Sequence, residues 1–466
     1  MARISCLLVI ALLVLCAVSC AKAEPAATPM VTPTTSLPAT SSVAPRTTED
    51  IADKFLQALR RADWEGAMRP FSQQMKDALP TSKLAELWAA LGVQNGEYRR
   101  VIGLRHIVQG QYDAVIMTLQ FKKAALDMRV VVDTQTGEIA GLFFTPTAGT
   151  PAPTIATTLP DYVELDAFSE QEVRVGDDEW ALPGTLTMPQ GDGPFPAVVL
   201  VHGSSPNDRD ETIGPNKPFR DLAWGLASRG IAVLRYDKRT YVYPQQMAAL
   251  ERLTVQDETI EDAVRAVALL QQTDRIDPAR VFVVGHSLGG MLAPRIAQQA
   301  PVAGLIILAG ATRPIEELMV EQTRYILALD GELSAQDRAQ IASLEAEVAK
   351  IKALTPVDPP SGTLLGAPAS YWLDLRGYQP AQMAATLSTP LLILQGERDY
   401  QVTMDDLHIW QAALSGRANV QFRTYSALNH LFIAGEGPGT PQEYDVAGHV
   451  APEVVDDITT WIAARP

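Results

Sequence analysis

Continuous apolar runs alternate with helical patterns along the C-terminal part of this 466-residue chain. A short apolar, β-branched run predicts a strand covered on both faces, and apolar residues at helical spacing between such runs predict helices. The predicted strands are 197–201, 231–236, 281–284, 305–309, 391–394 and 420–425, and the predicted helices are 219–228, 254–272 and 291–299. A leading hairpin at 173–188 precedes them. This alternation predicts an α/β domain over 163–466, with a mostly parallel sheet and helices on both faces.

Residues 48–145 show helical spacing first and period-two alternation afterwards. Three helices are predicted, the third ending at Gly92, and the predicted strands are 98–107, 112–121, 126–132 and 138–144. Helices followed by antiparallel strands predict a small α+β domain. Its sequence contains no evident acid–base pair, metal-ligand cluster or phosphate loop, and His106, within a strand, is interpreted as structural.

Segments rich in Thr, Pro, Ala and Ser separate these regions, and an apolar leader precedes them. Residues 1–20 combine Arg3 with an apolar stretch too short to cross a bilayer, which is typical of a secretory signal. Residues 21–47 are predicted to be a flexible tether and residues 146–162 a linker. The protein is therefore predicted to be exported, and to be extracellular or at the cell surface.

Composition narrows the classes of function. Apolar residues make up 47% of the chain, enough for a large core, and the formal net charge is −16. This acidity argues against nucleic acid and anionic membrane surfaces as partners. All three cysteines, Cys6, Cys16 and Cys20, lie in the leader. The mature body is therefore predicted to have no disulfide, no thiolate metal site and no cysteine nucleophile, and no cofactor or metal is predicted.

One strand leads directly into a Gly-x-Ser-x-Gly motif. Strand 281–284 is followed by Gly285-His286-Ser287-Leu288-Gly289 and then by helix 291–299. This order predicts a nucleophile elbow, in which Ser287 stands on a strained turn that pushes its hydroxyl out of the sheet. The two flanking glycines would let the strand and helix backbones pass closely. The motif is specific only if an acid and a histidine follow.

A candidate acid follows the next-to-last core strand. Asp399 comes just after strand 391–394 and would accept a hydrogen bond from a histidine, fixing its tautomer. The alternative for Asp399 is to cap the following helix, but Asp405 and Asp406 fit that position better.

A candidate base follows the last core strand. His430 comes after strand 420–425 and is predicted to be the general base, in preference to His449 at the start of the last helix. The order Ser287, Asp399, His430 is that of the α/β-hydrolases and not of other serine-hydrolase folds.

Two backbone N–H groups are predicted to form an oxyanion hole. One belongs to Leu288, at the start of the elbow helix, and the other to Ser204, just past Val201-His202-Gly203. Such preorganised donors are each worth about 3–4 kcal/mol in serine hydrolases.

The acidic loop 205–211 follows. Its spacing is not that of a calcium site, so its carboxylates are predicted to pair with basic residues of the next strand and loop, namely Arg235, Lys238 or Arg239.

The α/β alternation stops over 312–386, between the sixth and seventh core strands. A surface excursion is one interpretation, but an insertion at the catalytic edge of the sheet favours a lid. Its aromatic residues Tyr371 and Trp372, together with His202, are the candidate lining of a substrate pocket.

Residues 163–466 resemble the bacterial α/β-hydrolase carboxylesterases. The resemblance rests on His202-Gly203-Ser204-Ser205-Pro206-Asn207-Asp208-Arg209-Asp210, Tyr236-Asp237-Lys238-Arg239, the elbow, Gly396-x-x-Asp399 and Asn429-His430. It implies an α/β-hydrolase fold with a helical lid, and hydrolysis of small-molecule esters with short acyl groups through a serine acyl-enzyme. The alternatives are a serine aminopeptidase, an acyl thioesterase, or a cell-surface binding protein that does not use the fold catalytically. The sequence does not specify an oligomeric state.

The N-terminal domain carries a resemblance of its own. The pattern Phe55-Leu56-x-x-Leu59 … Asp63-Trp64 and the domain order resemble the cone-shaped domain of unassigned function that precedes serine hydrolases in some exported bacterial proteins. A binding, positioning or dimerising role is the expectation.

The leader generates the first testable prediction. Ala17-Val18-Ser19-Cys20 resembles a bacterial lipobox with Ala in place of the usual Leu, whereas Ala21-Lys22-Ala23 would direct cleavage before Glu24. Favouring the lipobox, we expect mass spectrometry of the mature protein to find a lipid-modified Cys20 as its first residue. An unmodified Glu24 start would exclude a lipid anchor.

Overall fold

The computed structural model describes residues 47–109, 112–146, 159–329, 331–357 and 362–465. The predicted signal peptide, nearly all of the tether and most of the linker lie outside the described residues. The described residues before and after the gap at 147–158 belong to two separate units. Within the described ranges, no helix is both long and apolar enough to cross a membrane.

The N-terminal unit is an α+β domain, as the sequence predicts. Its described elements are α1 (Thr48–Arg60), α2 (Trp64–Met68), α3 (Gln73–Ala78), α4 (Thr81–Asn95), β1 (Tyr98–Gln109), β2 (Tyr112–Phe121), β3 (Ala125–Asp133) and β4 (Glu138–Pro146). The strands form an antiparallel sheet in the order β1-β2-β3-β4. Alternate residues of β2, such as Val115 and Met117, share a core with Phe55 and Leu59 of α1.

Two helix boundaries differ from the prediction. The predicted second helix is broken between α2 and α3, because the backbone there leaves the helix to bond β4: Ser72 N–H donates to Ile139 O at 3.0 Å, and Ile139 N–H donates to Pro70 O at 2.6 Å. The third helix passes Gly92 and ends before Gly96, whose φ is 80°. A single interior glycine costs a helix only about 1 kcal/mol, so it need not end there.

The C-terminal unit alternates strands and helices. Its elements are β5 (Phe168–Val175), β6 (Leu182–Pro189), β7 (Phe195–Val201), α5 (Pro218–Ala227), β8 (Ala232–Tyr236), α6 (Arg239–Val242), α7 (Pro244–Ala248), a π-helical turn (Gln256–Ile260), α8 (Glu261–Gln271), β9 (Ile276–His286), α9 (Leu288–Gln299), β10 (Gly304–Leu308), α10 (Ile315–Leu327), α11 (Ala335–Ala353), β11 (Thr363–Leu364), β12 (Ala367–Pro368), α12 (Ala369–Leu375), α13 (Pro380–Thr386), β13 (Leu391–Gly396), α14 (Met404–Ala413), β14 (Val420–Tyr425) and α15 (Pro452–Ala463). Short 3-10 turns lie at Leu165–Ala167 and Pro441–Asp445.

An eight-stranded sheet organises this unit, in the order β14-β13-β10-β9-β7-β8-β6-β5. Pairing is antiparallel where β6 meets β5 and β8 and parallel elsewhere. Every residue of β10 is buried, because helices cover both faces of a parallel sheet. The predicted α/β-hydrolase fold is confirmed. The loops that follow β7, β9, β13 and β14 meet at the carboxyl edge of the sheet, where such folds bind ligands.

The insertion lies between β10 and β13, the sixth and seventh strands of this sheet in chain order. Ile351, Leu354, Ala369 and Trp372 form a small core of its own. Two contacts tie the insertion to the elbow helix α9. The Tyr378 hydroxyl donates to Met291 O at 2.7 Å, and the Arg295 guanidinium donates to the Asp374 carboxylate at 3.0 Å.

Candidate active site

Ser287 occupies a strained turn between β9 and α9. Its φ of 53° and ψ of −114° lie in a region that non-glycine residues rarely adopt. A Cβ at Gly285 would lie 2.3 Å from Gly289 O, and one at Gly289 would lie 2.2 Å from Val201 O. Both positions therefore require glycine, which gives the predicted motif a direct steric cause.

Asp399 and His430 meet at the carboxyl edge of the sheet. Nδ1 of His430 lies 2.6 Å from Oδ2 of Asp399, and both side chains are buried. The other carboxylate oxygen of Asp399 accepts the N–H groups of Gln401 and Val402, at 2.7 and 3.0 Å. This carboxylate is therefore fixed, and it orients the imidazole so that Nε2 remains available for a proton transfer.

The competing residues lie elsewhere. His449, the alternative base, contacts Asp221 at 3.0 Å. His408, a further histidine in this part of the chain, is exposed on α14. Asp406 is buried and accepts hydrogen bonds from Thr312 and Arg313, at the base of the insertion. Among the described residues, no hydrogen bond joins the Ser287 hydroxyl to His430. This contact is often long in unliganded enzymes and tightens with substrate, so the roles of the three residues stay predictions.

The predicted oxyanion-hole loop lies against the serine. A Cβ at Gly203 would be 3.2 Å from Cβ of Ser287. The Gly203 N–H donates to Oε1 of Glu211 at 2.7 Å, so this donor is already engaged. In the described part of the chain, neither the Ser204 N–H nor the Leu288 N–H donates to a protein group. These two donors therefore remain free to receive a substrate oxygen, as an oxyanion hole requires.

A buried Glu211–His286 pair lies behind the serine, and sequence reasoning missed it. Nδ1 of His286 is 2.8 Å from Oε2 of Glu211, without in-line hydrogen-bond geometry, and Nε2 of His286 donates to His430 O at 3.0 Å. Burial opposes charge on both groups, but their mutual attraction prevails, so the pKa of His286 is raised and that of Glu211 is lowered. The pair therefore connects the loop after β7 that carries Gly203, Ser204 and Glu211 (the oxyanion loop) with the end of β9 and with the loop that carries His430.

The predicted ion pairing of the acidic loop is correct for Arg235, one of the three basic residues named as candidate partners. Asp210 pairs with Arg235 and with Lys217. The expectation is wrong for Lys238 and Arg239. Lys238 pairs with Glu258 on the π-helical turn, and Arg239 pairs with Asp262 on α8. Within the described ranges, no group of three or more acidic, histidine or cysteine side chains could hold a metal ion.

The three candidate pocket residues lie in different environments. His202 is enclosed beside Phe219 and Tyr236, where burial lowers its pKa to about 4, and its neutral Nε2–H donates to Asp208 O. Trp372 is buried in the core of the insertion. Tyr371 is half-buried, and its hydroxyl donates to Glu258 at 2.8 Å. Contact of any of the three with a substrate stays a prediction.

Comparison with known proteins identifies the family. A model described as the alpha/beta hydrolase family matches residues 198–455, and the chain belongs to this family. A family described as a protein of unknown function, DUF3887, matches residues 52–142. Esterase EstD from Thermotoga maritima is 43% identical over 408 residues, which cover 88% of this chain and 93% of that protein.

The solved structures that align with this chain are more distant in sequence. An esterase from Pyrococcus furiosus aligns with 16% identity and a TM-score of 0.42, covering 64% of this chain and 92% of its own. Est1E from Butyrivibrio proteoclasticus aligns with 16% identity and a TM-score of 0.42, covering 63% of this chain and 99% of its own.

The close packing at the elbow predicts the effect of one added methyl group. Gly289→Ala would push Cβ against the carbonyl oxygen of Val201, and neither backbone can move without distorting the sheet. We expect a loss of about 1–3 kcal/mol or more in unfolding free energy, measured by urea denaturation, and loss of fluorophosphonate labelling at Ser287.

The matched control is Gly92→Ala, because a Cβ there meets nothing within 4 Å on α4. In this variant, Ser287 should react with the fluorophosphonate as in wild type, and the free energy of unfolding should change by no more than about 1 kcal/mol. Normal labelling and stability in Gly289→Ala would contradict the steric account of the elbow.

Proposed function

We propose that the C-terminal unit hydrolyses carboxylic esters with short acyl groups through an acyl-enzyme on Ser287. The observation that carries the proposal is the buried contact of 2.6 Å between His430 and Asp399, on loops beside the strained serine turn. The 43% identity to an esterase over most of the chain supports the same chemistry.

The residues suggest a two-stage reaction. Ser287 Oγ attacks the ester carbonyl carbon while Nε2 of His430 takes the hydroxyl proton. The carbonyl oxygen becomes an oxyanion that accepts the N–H groups of Leu288 and Ser204. When the intermediate collapses, the alcohol leaves with the proton from His430. Water then attacks the acyl-enzyme by the same proton route and releases the carboxylic acid and free serine.

Aminopeptidase and thioesterase activity are the alternatives that share this machinery. An aminopeptidase needs a carboxylate to hold the substrate ammonium, but Asp374 of the insertion is paired with Arg295, and Glu258 with Lys238. These two carboxylates are therefore already engaged and do not offer a place for a substrate ammonium. The sequence further supports an exported enzyme, because its leader is typical of a secretory signal.

Replacement of the serine tests the proposed function. Ser287→Ala should lower kcat for p-nitrophenyl acetate and butyrate by at least about 10⁴-fold, because the nucleophile is lost, and should abolish fluorophosphonate labelling. The matched control is Ser415→Ala, at an exposed position after α14. It should retain both ester turnover and fluorophosphonate labelling.

Two outcomes would contradict the proposal. Aminoacyl arylamides cleaved faster than the esters would indicate an aminopeptidase. A folded wild-type protein that neither turns over esters nor labels would instead indicate a binding protein.

A further inference from the structure

Both polar groups of Gly203 are held by buried charged side chains. Its N–H donates to Glu211 at 2.7 Å, and its carbonyl oxygen accepts Nζ of Lys238 at 2.8 Å. Glycine is the residue with the greatest backbone freedom, so an unrestrained glycine beside the serine would let the loop adopt several orientations. The two bonds remove that freedom.

The Lys238 bond also determines where the Ser204 N–H points. The Gly203 carbonyl and the Ser204 N–H belong to one planar peptide group, and in a trans peptide the two bonds point in opposite directions. A charged donor on the oxygen therefore directs the N–H to the opposite side. It also polarises the peptide group, which strengthens the N–H as a donor.

Lys238 is an expensive residue to bury, and its surroundings are built for its charge. Its side chain is only 2% exposed, and Nζ lies 2.7 Å from Oε1 of Glu258. Glu258 lies on the π-helical turn Gln256–Ile260, a rare geometry often found at functional sites. The other oxygen of Glu258 accepts the hydroxyl of Tyr371, on α12 of the insertion, at 2.8 Å.

We propose that Lys238 is a positioning residue of the oxyanion hole, which orients and polarises the Gly203–Ser204 peptide toward the substrate oxygen while Glu258 holds its ammonium in place. This inference rests on the proposed esterase function. It assigns Lys238 no contact with the substrate, so its effect should fall on kcat and not on KM.

The test begins with Lys238→Met, which keeps an unbranched side chain of similar length but removes the donor. This variant also leaves Glu258 buried without its partner, which can destabilise the fold. The double variant Lys238→Met with Glu258→Gln removes that orphaned charge and keeps an acceptor for Tyr371. If the missing bond to Gly203 is the cause of the defect, the double variant regains stability but not activity.

Arg239→Met is the matched control. Arg239 is the next residue, is similarly buried, and pairs with Asp262 and Glu261 on α8. Its loss should lower the melting temperature in the same manner as Lys238→Met, while kcat for each active site stays within about threefold of wild type.

The concentration of active sites is measured by titration with a fluorophosphonate, and kcat is calculated from that concentration, so that unfolded protein does not lower it. We expect Lys238→Met and the double variant to lose about 10- to 10²-fold in kcat for p-nitrophenyl butyrate, with KM changed less than threefold. The Ki of an alkylboronic acid, whose adduct with Ser287 places a negative oxygen in the oxyanion hole, should rise by a similar factor.

Three results separate the inference from the function on which it rests. If Ser287→Ala abolishes turnover but kcat in Lys238→Met stays within threefold of wild type, the role of Lys238 is wrong and the esterase stands. If the double variant regains kcat, orphaned Glu258 caused the defect, and the inference also fails. If Ser287→Ala retains turnover, the proposed function itself fails.

Discussion

The site depends on backbone segments that approach one another more closely than any side chain would allow. A Cβ at Gly289 would overlap the carbonyl of Val201, and one at Gly396 would lie 2.5 Å from Leu428 O. The first approach brings the start of α9 against the end of β7, and the second brings the end of β13 against the loop that carries His430. The spacing of the candidate triad is therefore determined mainly by backbone contact and only then adjusted by hydrogen bonds. Such rigid support is what a catalytic constellation needs, because small displacements cost large factors in rate.

Buried charged side chains then fix the orientation of the groups that close backbone packing alone does not fix. His430 pairs with Asp399, while Glu211 and Lys238 hold the oxyanion loop from either side of Gly203. Removing such groups from water carries a penalty of several kcal/mol for each ion, which a buried pair seldom repays in net stability. Their contribution is to orientation, because each charged group holds one backbone group or the imidazole in place in the absence of substrate. For the proposed reaction, this arrangement would provide electrostatic preorganisation, the largest single source of rate enhancement in many enzymes.

The fold and the candidate triad could be predicted because their signals are local. Apolar runs specify strands; Ser287 follows β9 directly, and Asp399 and His430 lie in the loops that follow β13 and β14. The supporting pairs could not be predicted in this way. The acidic loop before β8 is the partner that the sequence predicts for Lys238, yet Lys238 pairs with Glu258 on a π-helical turn, which helical periodicity does not reveal. The break between α2 and α3 has the same origin, since a backbone bond to a strand distant in sequence overrides local propensity.

The insertion is bonded to the core of the unit at its base, and its helices also pack around a small core of their own. Arg313, just before α10, and Tyr378, just before α13, bond buried groups of the core. Helix α11 is joined to α10 through the exposed pairs Arg324–Glu345 and Lys352–Glu317, and it also buries Ile351 beside Trp372. Exposed ion pairs contribute about 0–1 kcal/mol each, so the burial of Ile341, Val348 and Ile351 holds α11 more firmly than these pairs do. The segment carrying Tyr371 is bonded through Glu258 to the group that holds the oxyanion loop. Because Ile351 of α11 packs on Trp372, next to Tyr371, the packing of α11 also bears on the segment that bonds Glu258.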